Sequence, residues 1–248
     1  MKKIVSLFLI VILFSSCKDD VECCVNPGGS VTLKFTHNWN GTPITEADFN
    51  QLKFTNANGD QLSIEKLRYV ITNINLLDTK NRNLVDLGQN TGLSLTIPNQ
   101  KADLINLKFR FGFKDEDNTD GIYQDLNTVN FNVPNMLGGG YHYMQFDGKF
   151  VAANNQEAGF NYHAIRAVNR TDPNNLVFKD TSFEVDLGEI EIINDTTIEI
   201  KMNVAEWFKN PNTWNLNELN TVLMPNFDAQ ILMNENGQSV FSLGEITQ

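Results

Sequence analysis

Ser30-Val31-Thr32-Leu33-Lys34-Phe35-Thr36-His37 sets Val31, Leu33, Phe35 and His37 on one side of an extended chain and Thr32, Lys34 and Thr36 on the other. Period-two alternation is the mark of a half-buried strand, because successive side chains of a strand point to opposite faces. Asn40-Gly41-Thr42-Pro43 breaks the run with turn chemistry. The pattern then repeats outward along the chain. Short apolar runs fall at Lys66–Leu77, Gly92–Ile97, Asn106–Phe113, Tyr141–Val151, Phe160–Ala167, Ser182–Leu187 and Thr196–Val204. Asparagine, glycine and aspartate clusters separate them, among them Asn56–Asp60, Asp115–Gly121 and Asn154–Gly159. Many short strands between such turns predict an all-β domain, an antiparallel β-sandwich or barrel-like Greek key. Helical period is scarce. Glu46–Asn50 behind Thr45, and Val204–Asn210 stopped by Pro211, are the two short candidates.

The N-terminus carries a different signal. Met1-Lys2-Lys3 precedes an apolar run from Ile4 to Phe14, and Leu13-Phe14-Ser15-Ser16-Cys17 has the form of a lipobox. The apolar run, about 11 residues, is too short for a helix crossing roughly 30 Å of hydrocarbon. The expected organisation is a signal peptide over residues 1–16, a lipidated tether over 17–30 beginning at Cys17, and one β domain over 31–248. Lys18-Asp19-Asp20-Val21-Glu22 resembles the acidic export signal of Bacteroidota lipoproteins. The expected location is therefore the outer membrane, facing the periplasm or the cell surface, with the membrane reached through the lipid anchor.

Composition narrows the partners. The chain carries 19 basic and 30 acidic residues, a net charge of −11, and losing Lys2 and Lys3 with the signal makes it more negative by two. No basic stripe offers itself to a phosphate backbone, so nucleic acid is not an expected partner. Beyond Cys17 only the adjacent Cys23 and Cys24 remain, which gives neither a disulfide framework nor a cysteine zinc site. The fold must rest on apolar burial. No GxSxG or HExxH sequence is present, so the chain is not expected to be an enzyme. Asp115–Gly121 is rich in carboxylates but places Gly121 one position late for a calcium loop and Leu126 where the bidentate glutamate belongs.

Three histidines are the remaining candidates: His37, His142 and His163. Each lies in or at the end of a predicted strand, which holds an imidazole stiffly. Neutral imidazole suits copper and zinc, and a thioether selects copper(I). If the Tyr141–Val151 run is one regular strand, Met144 shares a face with His142 and is the natural soft fourth ligand.

Four segments together resemble the MbnP-like domain family. They are Leu33-Lys34-Phe35-Thr36-His37, Leu67-Arg68-Tyr69-Val70-Ile71-Thr72-Asn73-Ile74-Asn75-Leu76, Gly139-Gly140-Tyr141-His142-Tyr143-Met144-Gln145-Phe146-Asp147-Gly148-Lys149-Phe150, and Phe160-Asn161-Tyr162-His163. The third is the most specific. The family consists of secreted, copper-associated proteins found beside methanobactin genes and widely as Bacteroidota lipoproteins. The resemblance implies an all-β fold and copper as the bound metal. It also implies a partner redox protein, since related copper proteins use a tryptophan oxidised to kynurenine beside a histidine. Trp39, two residues after His37, is the neighbour in the corresponding place. The expectation is a lipoprotein that binds or handles copper through His37, His142, His163 and Met144. The alternative is a metal-free surface module for glycan or nutrient capture. Since a ligating imidazole must be deprotonated, the sequence alone predicts copper release between about pH 7 and pH 5.

Overall fold

A computed structural model describes residues 28–78 and 80–248. The signal segment, the lipidation site Cys17 and the Cys23-Cys24 pair lie outside the described residues. The described chain is all-β with few helices, as its alternation predicts, and its strands form two main sheets.

The smaller sheet is built on the Gly29–Trp39 strand. It lies beside Thr196–Asn203 on one edge and pairs with Ser94–Gln100 and Thr42–Pro43 on the other, while Phe241–Thr247 extends the Thr196–Asn203 side. The pairing with Thr196–Asn203 is parallel, in the register Leu33↔Ile198, Phe35↔Ile200, His37↔Met202. This departs from a purely antiparallel design. The two strands are far apart in sequence, so no hairpin dictates their relative direction.

The larger sheet has eight strands. Its centre is Lys66–Thr72, with Arg82–Asp86 along one edge and, on the other edge, Met144–Val151 against its first half and the end of Asp103–Phe111 against Ile71 and Thr72. Glu157–Ala164 folds back on Met144–Val151 as an antiparallel hairpin, with Gln145 opposite His163 and Asp147 opposite Asn161.

Between the sheets lies an aromatic core. Val31, Leu33 and Phe35 from one sheet face Leu67, Tyr69, Phe109, Phe111, Met144 and Phe146 from the other, all buried. Phe241 reaches across to Tyr69, with ring centres 5.9 Å apart, and meets the Phe109 ring edge-on at 5.3 Å. A second knot joins Tyr162, Phe208 and Trp214, the Tyr162 and Trp214 rings being 4.6 Å apart. Each ring here that is fully buried, as Tyr69 and Phe109 are, contributes roughly 1.5–3 kcal/mol. Trp207 and Trp214 are wholly inside, so neither ring is free to stack on a sugar.

Two elements escape period-two reading. The Phe227–Gly237 helix is capped by Asn226, whose side chain accepts from the Ala229 amide. The last strand, Phe241–Thr247, lies at the edge of the smaller sheet and is largely exposed. Glu46–Asp48 and Val204–Phe208 do form short 3-10 turns where short helices were expected.

Candidate functional site

Strand register places two rows of polar side chains on the outer face of the larger sheet. Arg68, Gln145 and His163 stand opposite one another across three adjacent strands, and Lys66, Asp147 and Asn161 form the next row. Their neighbours Leu67, Tyr69, Met144 and Phe146 point inward. Asp147 binds this face together. Its carboxylate accepts from His163 Nε2 at 2.7 Å, from Asn161 Nδ2 at 2.8 Å and from Lys66 Nζ at 2.9 Å. Burial alone would raise its pKa. The hydrogen bonds from His163 and Asn161 outweigh that and hold it below the usual carboxylate range, so Asp147 is ionised.

His142 joins this face from just before the strand. The regular strand begins at Met144, and Tyr141 makes only an isolated bridge to Asn132. The His142 amide donates to the Phe131 carbonyl at 2.9 Å, and the same oxygen lies 2.9 Å from Nδ1 of the ring. A carbonyl only accepts, so the proton is on Nδ1 and Nε2 is bare. The bare Nε2 points at the Met224 thioether, 3.2 Å from Sδ. Neither atom has a proton for the other, so two lone-pair donors face each other directly. His163 is arranged in the same sense. Its Nε2 proton is donated to ionised Asp147, which leaves Nδ1 as the nitrogen that a metal would take. The His142 and His163 rings stand edge-to-face with centres 5.2 Å apart.

These distances suit a shared ion. At bond lengths of about 2 Å to nitrogen and 2.3 Å to sulfur, two ligands of one ion lie about 3–3.5 Å apart, and two imidazoles on a tetrahedral ion have centres about 5 Å apart. The carboxylate behind His163 and the carbonyl behind His142 are the outer partners that fix tautomer and ring orientation in metal sites. Among the described residues no group of three histidine, cysteine, aspartate or glutamate side chains is disposed to hold a metal ion. The donor set here is two imidazoles and a thioether.

The structure brings together two of the three histidines. His37 is elsewhere: it points into the core between the sheets, where Nε2 lies 3.0 Å from the Tyr69 hydroxyl and Nδ1 is buried without a partner. Met144 also points inward, opposite Tyr69 in register and with no exposure. Its expected place beside His142 rested on a regular strand from Tyr141. The irregular backbone before Met144 turns His142 to the other face, and Met224 supplies the sulfur instead. Trp39 does share the inner side of its strand with His37, but it packs on Phe54 at 5.0 Å and on Phe208 at 6.0 Å, with its indole N–H donated to the Thr55 carbonyl. Asp115–Gly121 is a turn whose Asn118 side chain accepts from the Tyr141 amide, which braces the segment leading into His142.

Burial lowers the pKa of His142 to about 4, helped by the neighbouring charges of His163 and Arg68 and opposed by the hydrogen bond to Phe131. At neutral pH the ring is therefore unprotonated. Proton competition at this ligand begins near pH 4 rather than in the pH 7 to 5 window expected of an exposed imidazole.

Fold and cluster together define a β-sandwich that gathers two imidazoles and a thioether on the outer face of its larger sheet. The chain belongs to the MbnP family, whose profile matches residues 28–225. MbnP from Methylosinus trichosporium has a similar structure, with a TM-score of 0.55 over 87% of this chain and 98% of that one, at 9% sequence identity. At that identity the likeness speaks for the fold. No curated protein matches the chain in sequence.

Proposed function

We propose that this protein is a non-enzymatic copper-handling lipoprotein, held at the outer membrane by lipid on Cys17, with His142 and His163 as copper ligands. The observation that carries the reading is the imidazole pair itself. Both rings stand 5.2 Å apart with one proton committed outward, to the Phe131 carbonyl and to Asp147. Those partners fix the orientation of both rings, which is what outer groups do in metal sites. Membership of the MbnP family supports copper as the ion, through the copper association that the sequence resemblance implies. Copper is cargo here. It would be held by this chain's own side chains, and those side chains orient it and partly screen it from water.

Adding copper to the purified mature protein and counting bound metal tests this. About one equivalent per chain is expected, lost in His142→Ala and in His163→Ala, and retained in His37→Gln. Unchanged binding in the His142→Ala, His163→Ala double variant would refute the site. No binding in either oxidation state would leave a metal-free surface module as the reading.

A further inference from the structure

Met224 lies in an irregular segment between Trp214 and the Phe227–Gly237 helix, far in sequence from both histidines. The segment is fastened at intervals. Asp60 accepts from the Leu216 amide at 3.1 Å and from Asn217 Nδ2 at 3.1 Å, while Asn56 donates to the Trp214 carbonyl at 3.1 Å. The Asn220 carbonyl accepts from the Asn161 amide at 2.7 Å, which stitches the segment to the strand that carries His163. Beyond Met224, Asn226 caps the helix. Between these anchors Val222 adopts φ 58° with 74% of its surface exposed. A β-branched residue rarely enters the left-handed region, and a conformation of that kind persists only where its surroundings impose it. The anchors deliver the Met224 sulfur to 3.2 Å from His142 Nε2, half-buried at the surface of the sheet.

The charges around this point are mixed. Asp147 is the nearby anion, and Lys66 stands 2.9 Å from it. Arg68 adds a second cation. It is held in place by donation to Gln145 Oε1 at 2.7 Å and to the Val129 carbonyl at 2.8 Å, and Gln145 in turn touches His142. Arg68 also lies 3.9 Å from Asp86, so the fixed charges balance and both carboxylates are already engaged by cations, which leaves a divalent ion no free carboxylate ligand. A thioether also bonds weakly to hard ions and well to copper(I).

We infer that Met224 is a third ligand of the site and makes it selective for a soft monovalent cation, copper(I), over copper(II) and zinc(II). The inference rests on the histidine site proposed above and assigns its ion. The test is a competition titration of the full mature chain with copper(I) against a chromophoric chelator. Silver(I) serves as the redox-inert monovalent probe, and zinc(II) and copper(II) are measured in parallel. Wild type should prefer copper(I) and silver(I). Met224→Leu, which keeps the side-chain volume, should weaken both by about tenfold or more and leave zinc(II) unchanged. X-ray absorption of the copper(I) complex in the Cys23→Ser, Cys24→Ser background should show one sulfur at about 2.3 Å. Copper lost from His142→Ala but bound equally by Met224→Leu and wild type, or a spectrum without sulfur, overturns the assignment of Met224 and leaves the histidine site standing. Equal affinity of wild type for zinc(II) and copper(I) overturns the selectivity. Failure of wild type to bind any copper overturns both.

Discussion

Replacing His37 by glutamine should flatten the acid side of the protein's stability profile. His37 is 4% exposed, and burial lowers its pKa to about 4. The unfolded chain titrates near 6.5. Between those values the unfolded state binds a proton that the native state refuses, so stability falls as pH falls, by about 1.4 kcal/mol per pH unit for each such group. The contribution is fully present above pH 6.5, and about 3 kcal/mol of it has gone by pH 4. The structure explains the refusal. Tyr69 is the ring's hydrogen-bonding partner, and Nδ1 has none, so a second proton would be buried without an acceptor. Glutamine can keep a hydrogen bond to Tyr69 and cannot titrate. Urea unfolding of both proteins in metal-free buffer at pH 7, 6, 5 and 4.5 measures the difference. The variant is expected to be less stable at pH 7 and to close the gap as pH falls. Parallel curves for the two proteins across this window would refute the account of a buried neutral histidine.

Met144→Ala should cost about 2–5 kcal/mol by leaving a cavity between the sheets, while copper stoichiometry stays at the wild-type value; lost copper binding in a folded variant would return Met144 to the site. Gly112→Ala should destabilise by at least about 2 kcal/mol in thermal or urea unfolding, because φ is +82° and the added carbon would sit 2.5 Å from the Tyr143 ring. A variant as stable as wild type would show that the ring has room to move.

The sequence made the alternation of the strands legible, since Val31, Leu33 and Phe35, or Ile198, Ile200 and Met202, bury every second side chain as written. The helix at Phe227–Gly237 was hidden by its own buried face. That face includes Gln230 and Asn236. Gln230 accepts from the Ile165 amide and donates to the carbonyls of His163 and Leu223, and Asn236 donates to those of Trp207 and Asn212. Two amides standing where hydrophobes are expected erase the 3.6-residue signal. The site was half legible for a similar reason. His142 and His163 flank a hairpin that any strand reading pairs. Met224 sits in a loop with no periodic pattern, and nothing local marks it as a partner of a residue 82 positions earlier. The parting of His142 from Met144 depends on the irregular backbone at residues 141–143, which alternation cannot foresee.

The parallel pairing of the first strand has a consequence for how the chain reaches its native state. Ser30 and Asp195, hydrogen-bonded at 2.7 Å, are 165 residues apart. Until the chain has been made or delivered past Asn203, Gly29–Trp39 has no neighbour on that edge, and its amides and carbonyls there stay unpaired. The opening strand must therefore wait for nearly the last to appear. A contact of such long sequence separation is entropically expensive to close, and proteins dominated by such contacts fold in milliseconds to seconds rather than microseconds. During that interval an apolar strand adjoining the N-terminal segment is open to pairing with a second copy, so assembly of the smaller sheet is the stage at which a crowded population of nascent chains is most exposed to aggregation.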